Sequence, residues 1–269
     1  MERTWRLILD NKNDGYHNMA VDEAMLLSYS HLKIPTLRIY GWSNPFITLG
    51  YNQNPCDVLG LKRDIPFVRR ITGGSAILHD NEITYSIICS ADDLDLPNNV
   101  KESFRIICNF LKEFYRRLNI RAEFAKDVFS GLKGKYGNFC FSNFQHFDIL
   151  IEGRKIGGNA QCRRKNFIFQ HGSIPQEINF NEVKTQIKGA ENSEEKATSL
   201  KDILPKSLDF DSLSSLLSLS FEGVFAVKLT KGKLTPKEGN LAADLIDGKY
   251  RSKSWNFSRK YLAEAFSSR

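Results

Sequence analysis

The chain has 269 residues, 41% hydrophobic and 26% charged, proportions that exclude a disordered tail, a fibrous repeat or a small scaffold in need of staples. Lys and Arg outnumber Asp and Glu by 38 to 31, and the resulting +7 suits an acidic partner or a phosphate-bearing ligand without requiring either. Five cysteines form an odd set with no CxxC pair, which argues against a disulfide framework or structural zinc and for reduced thiols in a cytoplasm-like compartment.

The start, Met1-Glu2-Arg3-Thr4-Trp5, carries charge at once and never develops the apolar core of a signal peptide. No apolar run approaches the roughly 18 residues of a membrane span. The nearest lies between Ile83 and Cys89, so a soluble, cytoplasmic protein with no membrane partner is expected. Apolar Met19, Ala20, Ala24, Leu27 and Tyr29 predict a helix over 18–32. Residues 36–40 and 46–49 read as short strands broken by 41–45, and 67–71 as another. The clearest helix follows: Val100, Phe104, Ile107, Cys108, Leu111, Phe114, Tyr115 and Leu118 fall at spacings of three and four and make one broad apolar face.

A β meander is predicted next. Phe147, Ile149 and Ile151 alternate with their neighbours, Gly153 turns, 155–161 returns, 163–166 is a polar tip and 167–174 a third strand. From Asn181 helical signals dominate, with an exposed charged loop at 192–196 and helices at 211–217 and 236–246, the latter stopping near Gly248. Strands and helices occur without strict βαβ alternation. The expected class is therefore α+β, a mixed, largely antiparallel sheet flanked by helices, in a single domain over 1–269 with a helical C-terminal extension from about 180.

Three places could carry chemistry. In Arg69-Arg70-Ile71-Thr72-Gly73-Gly74-Ser75, a strand delivers two arginines into a glycine turn whose backbone could line a carbonyl or a phosphate. On the glycines alone, a plain hairpin with solvated arginines reads equally well or better. In Lys155-Ile156-Gly157-Gly158, adjacent glycines within a strand mark close approach by a ligand or by another backbone, and Lys155 could point at it or be an ordinary surface lysine. His171, in Gln170-His171-Gly172-Ser173, reads as a hydrogen-bonded structural histidine when seen without partners. Cys140 sits in a Gly- and Asn-containing loop that a substrate can reach, whereas Cys89 and Cys108 fall on apolar positions. A nearby Lys155 ammonium would favour its thiolate. No HExxH, Walker loop or GxGxxG is present.

Together these residues resemble a known family. Arg69 to His79 is similar to the RRxTGGGAVxH signature of the lipoate-protein ligase and octanoyltransferase superfamily, which shares its catalytic fold with biotin-protein ligases. Lys155 to Gln161 resembles its KxxGxAQ element and Gln170 to Ser173 its QHGS element. Further matches are Asn18 to Ala24, Arg38, Tyr40, Trp42, Pro45, Leu49, Gly50 and Trp255-Asn256. Cys140-Phe141, fifteen positions before Lys155, resembles the LipM-type branch, octanoyl-carrier-protein:protein N-octanoyltransferases whose nucleophile is a cysteine followed by phenylalanine. Ser75 replaces the family's third glycine, the Cys-Phe loop lacks its usual proline, and Cys162 adds a thiol after Gln161.

The resemblance implies Cys140 and Lys155 as catalytic residues. It implies substrate binding by Arg69, Arg70, Thr72, Gly73, Gly74, Ser75, His79, Gly157, Gly158, Ala160, Gln161, His171 and Gly172, with no metal. Cys140 would take an octanoyl group from acyl carrier protein and pass it to a lysine of a lipoyl domain or of the glycine-cleavage H protein, in lipoate biosynthesis and without a cofactor. Lys155 would act as an ammonium or as a neutral base. The alternatives are an ATP- and magnesium-dependent lipoate ligase, for whose accessory domain the residues after Ile174 are too few, and an amidotransferase working between lipoyl domains. A monomer is expected, and no nucleic-acid partner, since no basic-aromatic stripe accompanies the charge. Lys249, Arg251, Lys253, Arg259 and Lys260 form a basic cluster that could meet acidic partners, or a solvated tail.

Overall fold

The chain opens on a strand, β1 (Arg3–Asn13), and a helix, α1 (Gly15–Leu32), whose first turn is capped by Asp14 accepting from the His17 amide at 2.8 Å. The computed structural model describes residues 3–62, 64–130, 137–164 and 166–259. Next come β2 (Thr36–Trp42), β3 (Phe46–Leu49), the short α2 (Pro55–Val58), β4 (Phe67–Arg69), β5 (Ile77–His79) and β6 (Glu82–Ser90). The long amphipathic helix is α3 (Val100–Arg117), capped by Asn99 and burying Ile107, Cys108, Leu111, Phe114 and Tyr115 as their spacing predicts.

After β7 (Glu123–Phe124) and α4 (Ala125–Val128) come β8 (Ile149–Ile151), β9 (Arg154–Lys155), β10 (Gly158–Arg164) and β11 (Phe167–Pro175). The C-terminal part holds α5 (Phe180–Gln186), α6 (Ser193–Lys196), α7 (Leu200–Ile203), α8 (Phe210–Phe225), β12 (Val227–Lys231), α9 (Pro236–Leu245), a π-helical turn (Ile246–Tyr250) and α10 (Lys253–Ser258).

Six strands form the main sheet in the order β10-β11-β6-β2-β1-β12. Neighbours from β10 to β2 are antiparallel, and β1 runs parallel to both β2 and β12. The α+β class with a mixed, largely antiparallel sheet is what the sequence leads one to expect. Packing follows from the sheet's two apolar faces: α3 and α8 cover one, and α1 and α9 the other. Strands β2 and β6 are buried on both faces: in β6, Ile83, Tyr85, Ile87 and Cys89 join the core on one side, and Thr84, Ser86 and Ile88 are buried on the other.

Several local expectations shift. The predicted meander is two hairpins in two sheets: β8 and β9 join β7 in a small sheet, and β10 and β11 join the main one. Gly157, at φ +90, makes the break between them. The C-terminal extension is not wholly helical, because β12 pairs with β1 at the sheet edge. The 192–196 loop contains α6, with Ser193 buried, and α8 runs on to Phe225. In the basic cluster, Lys249 is buried against Glu23 rather than exposed, Arg251 pairs with Asp247, and Lys260 lies outside the described residues.

Candidate active site

Arg69, which ends β4, and Arg70, just beyond it, are anchors for loops. Arg69 gives its guanidinium to the carbonyls of Gly50, Tyr51, Gln53, Trp255 and Asn256 at 2.6–3.2 Å. Arg70 spans the glycine turn, donating to the carbonyls of Thr48, Gly73 and Ser75 and to the hydroxyls of Thr48 and Thr72. Among the described residues no carboxylate pairs with Arg70. Burial pushes it down to about 10, opposed by the charge of Cys140. The turn it holds has three amides, those of Gly73, Gly74 and Ser75, with no acceptor in the described chain.

The segment bearing Cys140 lies alongside this turn. Ala76 N donates to Asn138 O and Cys140 N to Ala76 O, both at 2.9 Å, in a parallel bridge. Phe139 and Phe141 on either side are buried in a third apolar cluster, and the half-buried Cys140 between them packs against its margin. Gln53, itself held by Arg69 through its carbonyl, donates from its side chain to Asn138 O at 2.9 Å.

Lys155 arrives on the second strand of the β8–β9 hairpin. Its buried Nζ lies 3.4 Å from Cys140 Sγ, 3.0 Å from Cys140 O and 2.7 Å from Asp148 Oδ2. Burial draws the ammonium down, but Asp148 and the Cys140 sulfur outweigh it, and the net shift is upward, so Lys155 rests as a cation. Asp148 is 6% exposed and also accepts from Gln145 N at 2.8 Å. It does not figure among the residues singled out from the sequence, although a signal was there. A two-residue turn at Glu152-Gly153 pairs Leu150 with Lys155, and residues opposite one another share a face, as do positions two apart. Asp148 and Lys155 must therefore face the same way.

The paired glycines have separate reasons. A Cβ on Gly157 would stand 2.1 Å from Ser173 O, so the close approach is by backbone. A Cβ on Gly158 would stand 2.8 Å from Cys140 Sγ: the thiol occupies the space that this glycine leaves.

Cys140, Gly74, Ser75 and Ala160 line two cavities at once. The outer mouth, about 320 Å³, also touches Gly73, Phe104, Asp148, Lys155 and Gln161. An inner slot, about 40 Å³, also touches Trp42, Arg70, Ile77, Gly158, Gly172 and both site histidines. Arg69, Thr72 and Gly157 line neither. His79 stacks on Trp42 at 4.0 Å between ring centres, with Nδ1 on Glu82 and Nε2 on the Thr48 hydroxyl, both at 2.8 Å. His171 Nε2 meets the Thr72 hydroxyl at 2.7 Å. Burial first, then Arg70 and His79, hold His171 far below the usual imidazole range, so its ring is neutral at pH 7. Among the described residues no three His, Cys, Asp or Glu side chains cluster to hold a metal ion, and no helix is long and apolar enough to cross a membrane.

A thiol, a buried ammonium and its carboxylate meet at the junction of two cavities on a mixed sheet clad by helices, an arrangement chemically able to hold a thiolate beside a resident cation. Residues 14–222 match the lipoyl protein ligase A/B catalytic domain family, and the chain belongs to that family. Octanoyltransferase LipM of Kyrpidia tusciae is 33% identical over 274 residues, covering 96% of this chain and all of that one. The LipM octanoyltransferase of Bacillus subtilis is 31% identical over 276 residues, covering 96% and 99%. A lipoate-protein ligase of Thermoplasma acidophilum, solved in work on that ligase and its E2 lipoyl domain, shares the fold with a TM-score of 0.80 at 22% identity, covering 97% and 98%. Related over its length to named octanoyltransferases, the chain is an acyltransferase.

Proposed function

We propose that this protein is an octanoyltransferase of lipoate biosynthesis, acting as a cytoplasmic monomer. It takes octanoyl from acyl carrier protein onto Cys140 and delivers it to a lysine of a lipoyl domain or of the glycine-cleavage H protein. The observation that carries this reading is the Lys155 Nζ to Cys140 Sγ distance of 3.4 Å, at the mouth that both residues line and beside the slot that Cys140 also lines. The names of the LipM relatives support octanoyl as the group moved.

In the first step the Cys140 thiolate, held beside the Lys155 ammonium, attacks the donor's thioester carbonyl. The carbonyl oxygen becomes an oxyanion, for which the unpaired amides of Gly73 to Ser75 are the available donors. The C–S bond to the carrier then breaks, and the carrier sulfur leaves with its electron pair and takes a proton from solvent. In the second step a neutral lysine amine attacks the acyl-enzyme carbonyl, the resulting ammonium gives a proton to solvent, and the C–S bond to Cys140 breaks with its electron pair going to the sulfur. Lys155 receives the departing thiolate as a counter-charge. Thioester exchange is nearly isoenergetic and the amide lies lower, so neither ATP nor magnesium is required.

Purified enzyme is incubated with octanoyl carrier protein and an apo lipoyl domain, with and without ATP, and all three proteins are weighed. The expected result is one octanoyl increment on Cys140, ATP-independent transfer, and loss of both in Cys140→Ser. Full turnover by Cys140→Ser, or strict dependence on ATP and free acid, would sink the proposal in favour of a ligase.

A further inference from the structure

The inner slot beside Cys140 is small, about 40 Å³, with room for roughly three water molecules. Seating an eight-carbon chain there requires part of its wall to move. Behind one part of that wall lies a second space, a cavity of about 410 Å³ with an apolar flank of Ile65, Leu78, Phe139, Phe141 and Val183. Two residues, Ile77 and Ser173, line both the slot and this outer cavity. The remaining slot residues named above are tied down: Trp42 to Thr84, His79 to Glu82 and Thr48, and Arg70 to the glycine turn. Ile77 has no such tie, and its Cδ1 faces the space over Gly158 next to the sulfur. Ser173 is 3% exposed and its hydroxyl has no hydrogen-bond partner among the described residues. That oxygen is already out of contact with water, and an alkyl chain laid against it supplies no hydrogen-bond partner in place of the one it lacks.

We propose that Ile77 sets the length of acyl chain that Cys140 accepts, with the Ser173 hydroxyl marking where the apolar slot ends. Ile77 is the member of the wall that can yield, because empty space lies behind it. How far it yields fixes how many carbons fit, and removing its side chain joins slot and outer cavity. Each further methylene drawn out of water then favours binding about fourfold.

This rests on Cys140 being the residue that carries the chain, so the test uses a probe that needs only the thiol and the slot. Alkyl methanethiosulfonates of six to fourteen carbons transfer an alkylthio group to a thiolate and release methanesulfinate. Their rates on Cys140 are followed by mass spectrometry, with Cys140→Ser giving the background from other thiols. In the wild type the rate is expected to fall beyond eight carbons. Ile77→Ala is expected to raise the dodecyl-to-octyl ratio at least tenfold, Ser173→Ala to raise it less, and Ile77→Phe to shift the fall to shorter chains. If Ile77→Ala folds poorly, Ile77→Val is read in its place, with a rise of about fourfold. A folded Ile77→Ala or Ile77→Val with the wild-type length profile overturns the proposal. A wild type that takes the probes but not octanoyl from carrier protein counts against the transferase reading alone, and the length profile still judges Ile77.

Discussion

At the scale of single residues, the site depends on a buried charge that is kept paired. Lys155 could serve neither as counter-ion nor as anchor if burial alone decided its state, since desolvation favours the neutral amine. Asp148 at 2.7 Å reverses that. Because the folded value lies above the ordinary 10.5, the ammonium's contribution to stability is complete below that pH and is lost only as pH rises through the folded value. Between pH 7 and 10 the wild-type pair therefore adds no slope to stability. In Asp148→Asn only the Cys140 sulfur still opposes burial, the largest influence on Lys155, and the folded value is expected to drop below 10.5, so the unfolded chain binds the extra proton and stability rises with pH across the same window. Urea unfolding at pH 7 is expected to show a loss on the order of 3–5 kcal/mol in this variant, shrinking toward pH 10 relative to wild type. Cys140 acylation at pH 7 is expected to fall on the order of a hundredfold. A variant that tracks the wild type in parallel at every pH would show that Asp148 does not hold the proton on Lys155.

At the scale of elements, the helices and the short hairpins were the legible part. α3 follows its three-and-four spacing to within a residue, and Gly153 marks its turn. The strand predicted over 36–40 runs on to Trp42 as β2, whereas β6 was harder: Ile83, Tyr85 and Ile87 alternate with Thr84 and Ser86, but Ile88 and Cys89 follow Ile87 as adjacent apolar residues and blur the period of two. The parallel pairing of β12 with β1 joins residues more than two hundred positions apart, and no local pattern encodes it. For the site, the motifs brought Cys140 and Lys155 forward, but spacing could not say that they touch, since that contact depends on a bridge from 139 to 76 across different elements. The glycine pair shows how much a motif leaves open. Gly157 and Gly158 look alike in sequence, yet one meets backbone and the other the thiol. Gly157→Ala must place an L residue at φ +90 against a carbonyl that cannot move, and a loss of roughly 1–3 kcal/mol is expected in thermal unfolding. In Gly158→Ala the neighbour is a thiol that can rotate away. Stability is expected to stay near that of the wild type while Cys140 acylation falls about a hundredfold, as a displacement of an ångström in a reacting atom does. The reverse pattern, an active Gly158→Ala and a stable Gly157→Ala, would refute this division of roles.

At the scale of the whole molecule, the C-terminal segment buttresses the Cys140 loop without touching Cys140. Trp255 Nε1 donates to Arg69 O and Asn256 Oδ1 accepts from Arg69 N, both at 2.8 Å. Arg69 holds the carbonyl of Gln53, and Gln53 holds that of Asn138, two residues before Cys140. What fastens the segment is a buried contact between the two ends of the chain. Lys249 Nζ lies 2.7 and 2.8 Å from the Glu23 carboxylate on α1, the Tyr250 hydroxyl donates to the same carboxylate at 2.7 Å, and Lys249 stacks on Trp255 at 3.9 Å. Burial lowers Lys249 although Glu23 pulls it up, so here, unlike at Lys155, desolvation has the larger hand. Such a pair is weak evidence of net stabilisation, but breaking it from one side is costly because an unpaired charge stays behind. Glu23→Ala is expected to destabilise the fold by roughly 3–5 kcal/mol in urea unfolding. Replacing both partners, Glu23→Gln with Lys249→Met, leaves no buried charge and should recover most of that loss. If the double variant is instead as unstable as the sum of the two single ones, the pair does not act as a unit, and the tie between the chain ends lies in the packing of Tyr250 and Trp255 rather than in the charges.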